Sequence, residues 1–326
     1  MISLVTGSNG FIGSHLIETL LKNNHEVRCL VRKTSNLRWI KQLPVTFIYG
    51  DITHCDSLSH AINGIDFVFH LGGTLRARTE EEFMHINVQG TQNLIDTCLK
   101  YNSDILKFIF VSSQAAAGPS AGKRKLTETD PPAPISIYGK SKYHAELAVL
   151  NAKNQIPVTI IRPPSVYGPR DGDIFEMFQF VNRRIKPQLG FKSKYLSLIH
   201  VRDLVKGIYL ASRSSVSDGE IYFMANEEIV TVLDFLKEIE TAMHKKAMTI
   251  KIPAFAIDIY AQLSELIAHF NNSVALVNKD KAREMKQDFW LVDNAKAKQD
   301  LNFVPKISLA EGVRSTYIWY KGNGWL

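Results

Sequence analysis

The sequence predicts an α/β fold: a doubly wound parallel sheet covered by helices, with a smaller C-terminal lobe interleaved into it. Three observations carry this. Short β-branched or aromatic runs alternate with longer amphipathic stretches through the first half of the chain. The runs are nearly all apolar, the pattern of parallel strands covered on both faces. The first of them passes directly into a glycine-spaced turn and then a helix.

Taken in order, the first strand is Ile2-Ser3-Leu4-Val5-Thr6, and a helix follows from Ile12 to Asn23, with Ile12, Leu16, Ile17, Leu20 and Leu21 at helical spacing. Further strands are expected over residues 26–31, 46–49, 67–70 and 108–111, with a helix from Val88 to Lys100 between the last two. A sixth strand, Val158 to Arg162, stops at Pro163-Pro164, because proline cannot donate to a sheet ladder. Glu220 to Met224 reads as a last strand, and Leu198 to Ala211 as another piece of the same unit. The stretches between are helix-rich and irregular, so residues 1–166 with 196–225 are assigned to the sheet domain and 167–195 with 226–326 to a substrate lobe. The cleft should lie at the C-terminal edge of the strands.

Composition narrows the class. At 45% hydrophobic and 22% charged, a chain of 326 residues is globular rather than disordered or fibrous. Cys29, Cys55 and Cys98 lie far apart with no CxxC pair, which argues for a reducing, cytoplasmic compartment. The net charge is +7, but the cations are scattered in pairs such as Arg183-Arg184 and Lys245-Lys246, and Lys123-Arg124-Lys125 reads as an exposed loop. No nucleic-acid partner is expected. No charged leader precedes Ile2 and no window of about 18 residues is uncharged and apolar, so neither a signal peptide nor a membrane span is expected. The nearest candidate, Ile252 to Phe270, is interrupted by Asp258 and Glu265 and reads as a buried amphipathic helix of the substrate lobe. His54, His60, His70 and His200 lack ligand spacing, so no metal site is assigned.

The chemistry begins at Thr6-Gly7-Ser8-Asn9-Gly10-Phe11-Ile12-Gly13. Between a strand and a helix, Gly7 permits the tight turn, Gly10 lets backbone approach a pyrophosphate and Gly13 lets helix pack on strand, which makes the sheet domain a Rossmann-type dinucleotide-binding unit. The second strand ends at Arg32-Lys33, where such folds often carry an acid for the ribose hydroxyls. A guanidinium pairs with a 2′-phosphate, so NADP(H) is favoured and NAD(H) kept as possible; two exposed surface charges are the plainer alternative. Asp51, ahead of Ile52, faces the adenine amino group or caps a turn. Tyr138 and Lys142 lie four apart at the start of a helix and share one face. An ammonium beside a phenol favours the phenolate, which makes Tyr138 a general acid/base candidate. Ser112-Ser113, at the end of the fifth strand, completes the set.

These residues resemble the extended short-chain dehydrogenases/reductases, the group of nucleotide-sugar epimerases and dehydratases, dihydroflavonol reductases and 3β-hydroxysteroid dehydrogenases. The resemblance runs along essentially the whole chain, through Thr6 to Gly13, His70-Leu71-Gly72-Gly73, Asn87-Val88-Gln89-Gly90-Thr91, Ser112-Ser113, Tyr138 to Lys142, Arg162-Pro163 with Tyr167-Gly168-Pro169, and His200-Val201-Arg202-Asp203. It implies that Ser113 polarises the substrate oxygen, that Tyr138 moves its proton and that Lys142 binds the nicotinamide ribose. It also implies that Leu71, Gly72 and Gly73 line the cofactor, that Pro163, Ser165 and Val166 meet the nicotinamide amide, and that Asn87 is a supporting polar residue. A helix N-cap ahead of Val88 is the alternative for Asn87. Gln114, Ser165 and Arg170 join Ser113 and Tyr138 as substrate candidates.

Departures from the family pattern choose among its branches. Sugar dehydratases carry an Asp and Glu after the position of Ser113, where this chain has Gln114 and Ala115, so elimination has no acid and base. The Asn and Arg that hold nucleotide sugars are replaced by Ser165 and Leu196. The Leu30-Val31-Arg32 strand end and the apolar stretch Ala254 to Phe270 resemble the reductase and hydroxysteroid branch. The expected function is hydride transfer between nicotinamide and a secondary alcohol or ketone of a small organic substrate, with a sugar epimerase holding NAD as the alternative. A non-catalytic sensor is disfavoured by the retained Ser113, Tyr138 and Lys142. The family commonly dimerises through the helices that begin near Asn87 and Tyr138, so a homodimer is expected.

Overall fold

The computed structural model describes residues 1–271, 274–275 and 277–326. In chain order its strands are β1 (Ile2–Thr6), β2 (Glu26–Val31), β3 (Thr46–Tyr49), β4 (Phe67–His70), β5 (Lys107–Val111), β6 (Val158–Arg162), β7 (Ser165–Tyr167), β8 (Ile185–Leu189), β9 (Tyr195–His200), β10 (Glu220–Phe223), β11 (Ile229–Thr231), β12 (Met248–Ile252) and β13 (Phe289–Trp290). The helices are α1 (Phe11–Lys22), α2 (Ser59–Ile62), α3 (Glu80–Phe83), α4 (Gly90–Tyr101), α5 (Gln114–Ala117), α6 (Ile137–Asn151), α7 (Phe175–Asn182), α8 (Val201–Arg213), α9 (Val232–Met243), α10 (Ala254–Phe270), α11 (Lys279–Lys286), α12 (Ala295–Leu301) and α13 (Leu309–Gly322).

Seven strands form one parallel sheet in the order β3-β2-β1-β4-β5-β6-β10. The order reverses direction between β1 and β4, and a crevice opens at the carboxyl ends of strands at such a point. Every residue of β4, β5 and β6 is buried, as their continuous apolar runs require. On one face Leu16, Ile17 and Leu20 of α1 pack with Leu204, Val205 and Ile208 of α8. On the other, Leu94, Ile95 and Cys98 of α4 pack with Ala145 and Val149 of α6. The Arg162 guanidinium at the end of β6 donates to both carboxylate oxygens of Glu146 on α6, at 2.9 and 2.6 Å. Both side chains are at most 2% exposed, so the pair clamps α6 to the sheet.

The second lobe centres on β9, which pairs with β7, β11 and β13, while β8 and β12 form a separate ribbon. Residues 196–200, expected in the main sheet domain, therefore belong to the second sheet, whereas α8 directly after them returns to the main sheet. An apolar strand looks the same in either sheet, and only its pairing with β7 decides. The second correction concerns α10. Its apolar side faces outward rather than into a core, with Phe255, Ile259, Leu263, Leu266 and Ile267 all more than half exposed. Among the described residues no helix is long and apolar enough to cross a membrane.

Candidate active site

The glycine turn builds a cradle. Gly7 has φ of +65°, and a Cβ there would lie 2.7 Å from the Leu71 carbonyl, so both conformation and space demand glycine. A Cβ on Gly13 would lie 2.2 Å from the Gly7 oxygen, which seats the first turn of α1 against the loop. Gly10 precedes α1 and offers no capping side chain. The first amides of α1 thus keep unanswered donors at the positive end of a helix, the arrangement that takes a phosphate. Ser8 turns inward, donating to the Leu30 carbonyl at 3.3 Å, and Asn9 donates to the Asn36 carbonyl at 3.3 Å. Phe11 stacks edge-on to His15, 5.9 Å away. The pieces present fit a dinucleotide.

Arg32 and Lys33 are exposed beside this cradle, at the end of β2. Asp51 accepts from both the amide and the hydroxyl of Thr53, at 2.9 and 2.8 Å, so its turn-capping role is realised. Burial pushes its carboxyl up, but the Thr53 hydrogen bonds and the Arg32 charge outweigh it and hold the group below the usual range. Arg32 therefore lies within electrostatic reach of Asp51. Ile52 is buried under Gly90, whose position a Cβ would close at 2.8 Å.

Ser113 ends the strand β5 extension and caps α5, its Oγ accepting from the Ala115 amide at 3.1 Å. Tyr138 stands in the first turn of α6. Burial raises its phenol strongly, and the Ser113 side chain works in the opposite direction. Lys142, one turn further along, is buried and donates to the Val111 carbonyl at 2.9 Å, with its ammonium 4.1 Å from the Phe110 ring centroid. Burial lowers it to about 7. Desolvation favours the neutral form of both groups, and so acts against the phenolate that an adjacent ammonium favours.

A buried polar chain joins cradle and catalytic helix. Thr91 Oγ1 donates to the Asn87 carbonyl at 2.6 Å, so its single proton is spent and it must accept from His70 Nε2 at 2.9 Å. His70 Nδ1 then accepts from Thr6 Oγ1 at 2.6 Å, and that hydroxyl accepts from the Gly72 amide at 2.9 Å. Burial, followed by the Lys142 charge, holds His70 neutral at about 3, which this tautomer requires. Asn87 Nδ2 donates to Ser141 Oγ at 2.9 Å, and Ser141 donates to the Tyr138 carbonyl at 2.8 Å. Asn87 Oδ1 also accepts from the Thr74 amide at 2.7 Å, and a Cβ on Gly73 would lie 2.8 Å from that oxygen. Asn87 sits inside a π-helical turn, Met84–Gln89, so it is not a helix cap, and its side chain ties Thr74 to Ser141.

The remaining candidates divide. Gln114 is buried and its amide donates to the Pro163 carbonyl at 2.8 Å, joining the strand ends. Its Nε2 and Ser112 Oγ are buried polar atoms without a protein partner, among the described residues. Ser165 is exposed and Val166 half-buried, both on β7. Arg170 Nη2 donates to Glu18 of α1 at 2.5 Å, with the guanidinium 5.5 Å from the Trp39 ring centroid. Sequence reasoning missed the residues that hold α6. A Cβ on Gly139 would lie 2.4 Å from the Ala115 oxygen, so this glycine sets the approach of α6 to the Ser113 segment. Asp280 and Glu284 of α11 accept from the Ile137 amide and the Ser136 hydroxyl at the start of α6. Their only sequence signal is a pair of acids on one helix face, which names no partner.

A parallel sheet with a glycine cradle at an uncapped helix, and a serine, tyrosine and lysine at the neighbouring strand ends, define a nicotinamide-dinucleotide enzyme of the short-chain dehydrogenase/reductase class. Residues 3–225 match the NAD dependent epimerase/dehydratase family, and the chain belongs to it. It is an NAD(P)-dependent oxidoreductase of the extended type. A ceramide reductase of Caulobacter vibrioides is 28% identical over 99% of this chain and 95% of its own length. A 3 beta-hydroxysteroid dehydrogenase/Delta 5-->4-isomerase of Mycobacterium tuberculosis is 27% identical, over 97% of this chain and 90% of its own. The crystal structure of a UDP-glucuronic acid 4-epimerase from Bacillus cereus, in complex with UDP-glucuronic acid and NAD, superposes with a TM-score of 0.79 at 26% identity, covering 99% of this chain and 100% of that one.

Proposed function

We propose that the enzyme reduces a ketone, or oxidises the corresponding secondary alcohol, of a low-polarity organic substrate, with NADP(H) as the favoured cofactor. The observation that carries the reading is the convergence of Ser113, the cap of α5, with Tyr138 and the buried Lys142 on α6, which Gly139 lets approach the Ala115 carbonyl. The nicotinamide, when bound, supplies or accepts the hydride. Ser113 holds and polarises the substrate oxygen. Burial favours the protonated Tyr138 phenol, the form that donates to a developing alkoxide. Lys142 and the Asn87–Ser141 chain orient Tyr138 from below.

Two things favour an apolar substrate over a nucleotide sugar. Ala115, Ala116 and Ala117 follow Gln114 with no carboxylate among them, and Arg170, a candidate for a diphosphate, is engaged by Glu18. Relatives named as a ceramide reductase and a 3 beta-hydroxysteroid dehydrogenase support this. The reading includes a homodimer through α4 and α6 and, with its three unpaired thiols, a reducing cytoplasmic setting. The experiment is to release any nucleotide from the freshly purified protein, identify it by mass, and then titrate empty protein with NADPH and NADH. An empty protein that prefers NADPH, and loses at least tenfold of that preference in Arg32→Ala, supports the proposal. Stoichiometric NAD surviving purification would instead indicate the epimerase.

A further inference from the structure

Helix α10 carries its apolar residues on its exposed face. Its carboxylates lean toward α11, where Asp258 pairs with Lys286 at 2.7 Å and Glu265 with Lys279 at 3.7 Å in part-exposed surface ion pairs. Ala261 and Ala268 are buried on that same side. Outward, Phe255, Ile259, Leu263, Leu266 and Ile267 stand at helical spacing and are 52–65% exposed. A surface helix ordinarily presents its charges to water and its apolar stripe to the core. The Phe191 tip, 75% exposed, extends the apolar face at its N-terminal end, because the Gly190 amide donates at 2.8 Å to the Ile252 carbonyl just before α10.

We infer that this face seats on an anionic lipid bilayer, with α10 lying in the plane of the interface. Lys192 and Lys251 are exposed beside Phe191, with the Lys251 ammonium 5.9 Å from its ring centroid. Aromatic and aliphatic residues rimmed by lysine are what such a surface takes up, the side chains entering the acyl boundary and the ammonium groups meeting headgroup phosphates. A second copy fits less well. Two-fold pairing would gather the lysines of both copies around one apolar seam, with the α10 carboxylates already paired to lysines of α11. At 17 residues the helix is about 25 Å long and carries Asp258 and Glu265, so it lies on the bilayer rather than spans it. Through α11, which caps the start of α6 with Asp280 and Glu284, the face adjoins the helix that carries Tyr138.

The inference does not depend on the proposed reaction and is tested by cosedimentation of the full chain with extruded phosphatidylcholine vesicles, with and without phosphatidylglycerol. The wild-type protein pellets with the anionic vesicles. Leu263→Glu/Ile267→Glu, both solvent-facing, lowers the partition at least about tenfold while the thermal melt is unchanged. Lys192→Ala and Lys251→Ala each weaken binding to anionic vesicles alone, about fivefold, with the effect lost in high salt. A wild-type protein that stays in the supernatant, or a double variant that pellets equally well, overturns the inference. So does a dimer in solution that the double variant dissociates without any vesicle binding.

Discussion

Replacing Gly139 by alanine separates the geometry of the site from the stability of its helix. In an isolated helix the change is favourable by about 1 kcal/mol, because alanine costs less backbone entropy. Here the new Cβ would lie 2.4 Å from the Ala115 oxygen, 3.0 Å from the Ala115 carbonyl carbon and 3.1 Å from Ser136 Oγ. The first distance must grow to at least 3.0 Å, so α6 and α5 separate by about 0.6 Å or more. Overpacking of this kind costs about 1–3 kcal/mol, which exceeds the helix gain. Since α5 begins at its Ser113 cap and α6 carries Tyr138, the same displacement moves Tyr138 away from the Ser113 segment. A misplacement near 1 Å costs about a hundredfold in rate, so kcat should fall roughly ten- to hundredfold with nucleotide affinity nearly unchanged. The assay is NADPH oxidation on a ketone that the wild-type enzyme turns over, alongside a thermal melt. Gly322→Ala is the control: nothing lies within 4 Å of its Cβ, and it should be neutral or stabilising. Gly139→Ala with wild-type kcat and a raised Tm would refute the reasoning.

Other perturbations test the supports around this contact. Glu146→Ala leaves the buried Arg162 guanidinium uncompensated and should cost about 3–5 kcal/mol by urea unfolding, whereas Glu146→Leu with Arg162→Met should recover most of it; a mild single variant would contradict the clamp. Burial lowers Lys142 from 10.5 to about 7, so between those values the unfolded chain binds the extra proton and stability rises with pH. The penalty is full below about pH 7 and fades toward pH 10.5, so the stability of wild type relative to Lys142→Met should climb across that window, and a flat difference by calorimetry would rule it out. Asp280→Ala removes the acceptor of the Ile137 amide and should cost about 1 kcal/mol, as loss of a helix cap does, and kcat should fall more than the KM for NADPH rises.

The strands of the main sheet were legible because a covered parallel strand is apolar at every position, and burial of β4, β5 and β6 bears this out. The glycine cradle was legible because only glycine meets its conformational and steric demands. Asn87 could not be assigned between cap and support, since one amide serves either use and the choice depends on where Thr74 and Ser141 arrive. The ion pair of Arg170 was illegible for a related reason: a cation declares its charge in the sequence but not its counter-ion, and Glu18 lies 152 residues away.

By itself the sequence determined the doubly wound core and the glycine turn, and singled out Ser113, Tyr138 and Lys142 as candidates, because each follows from local chemistry repeated at short spacing. Only the tertiary structure decided which sheet took residues 196–200, which way α10 faces, and how deeply Tyr138 and Lys142 are buried. The spacing of Tyr138 and Lys142 predicts an ammonium that stabilises a phenolate. Burial of both groups instead favours their uncharged forms, since desolvation acts through everything packed around a side chain, most of it remote in sequence.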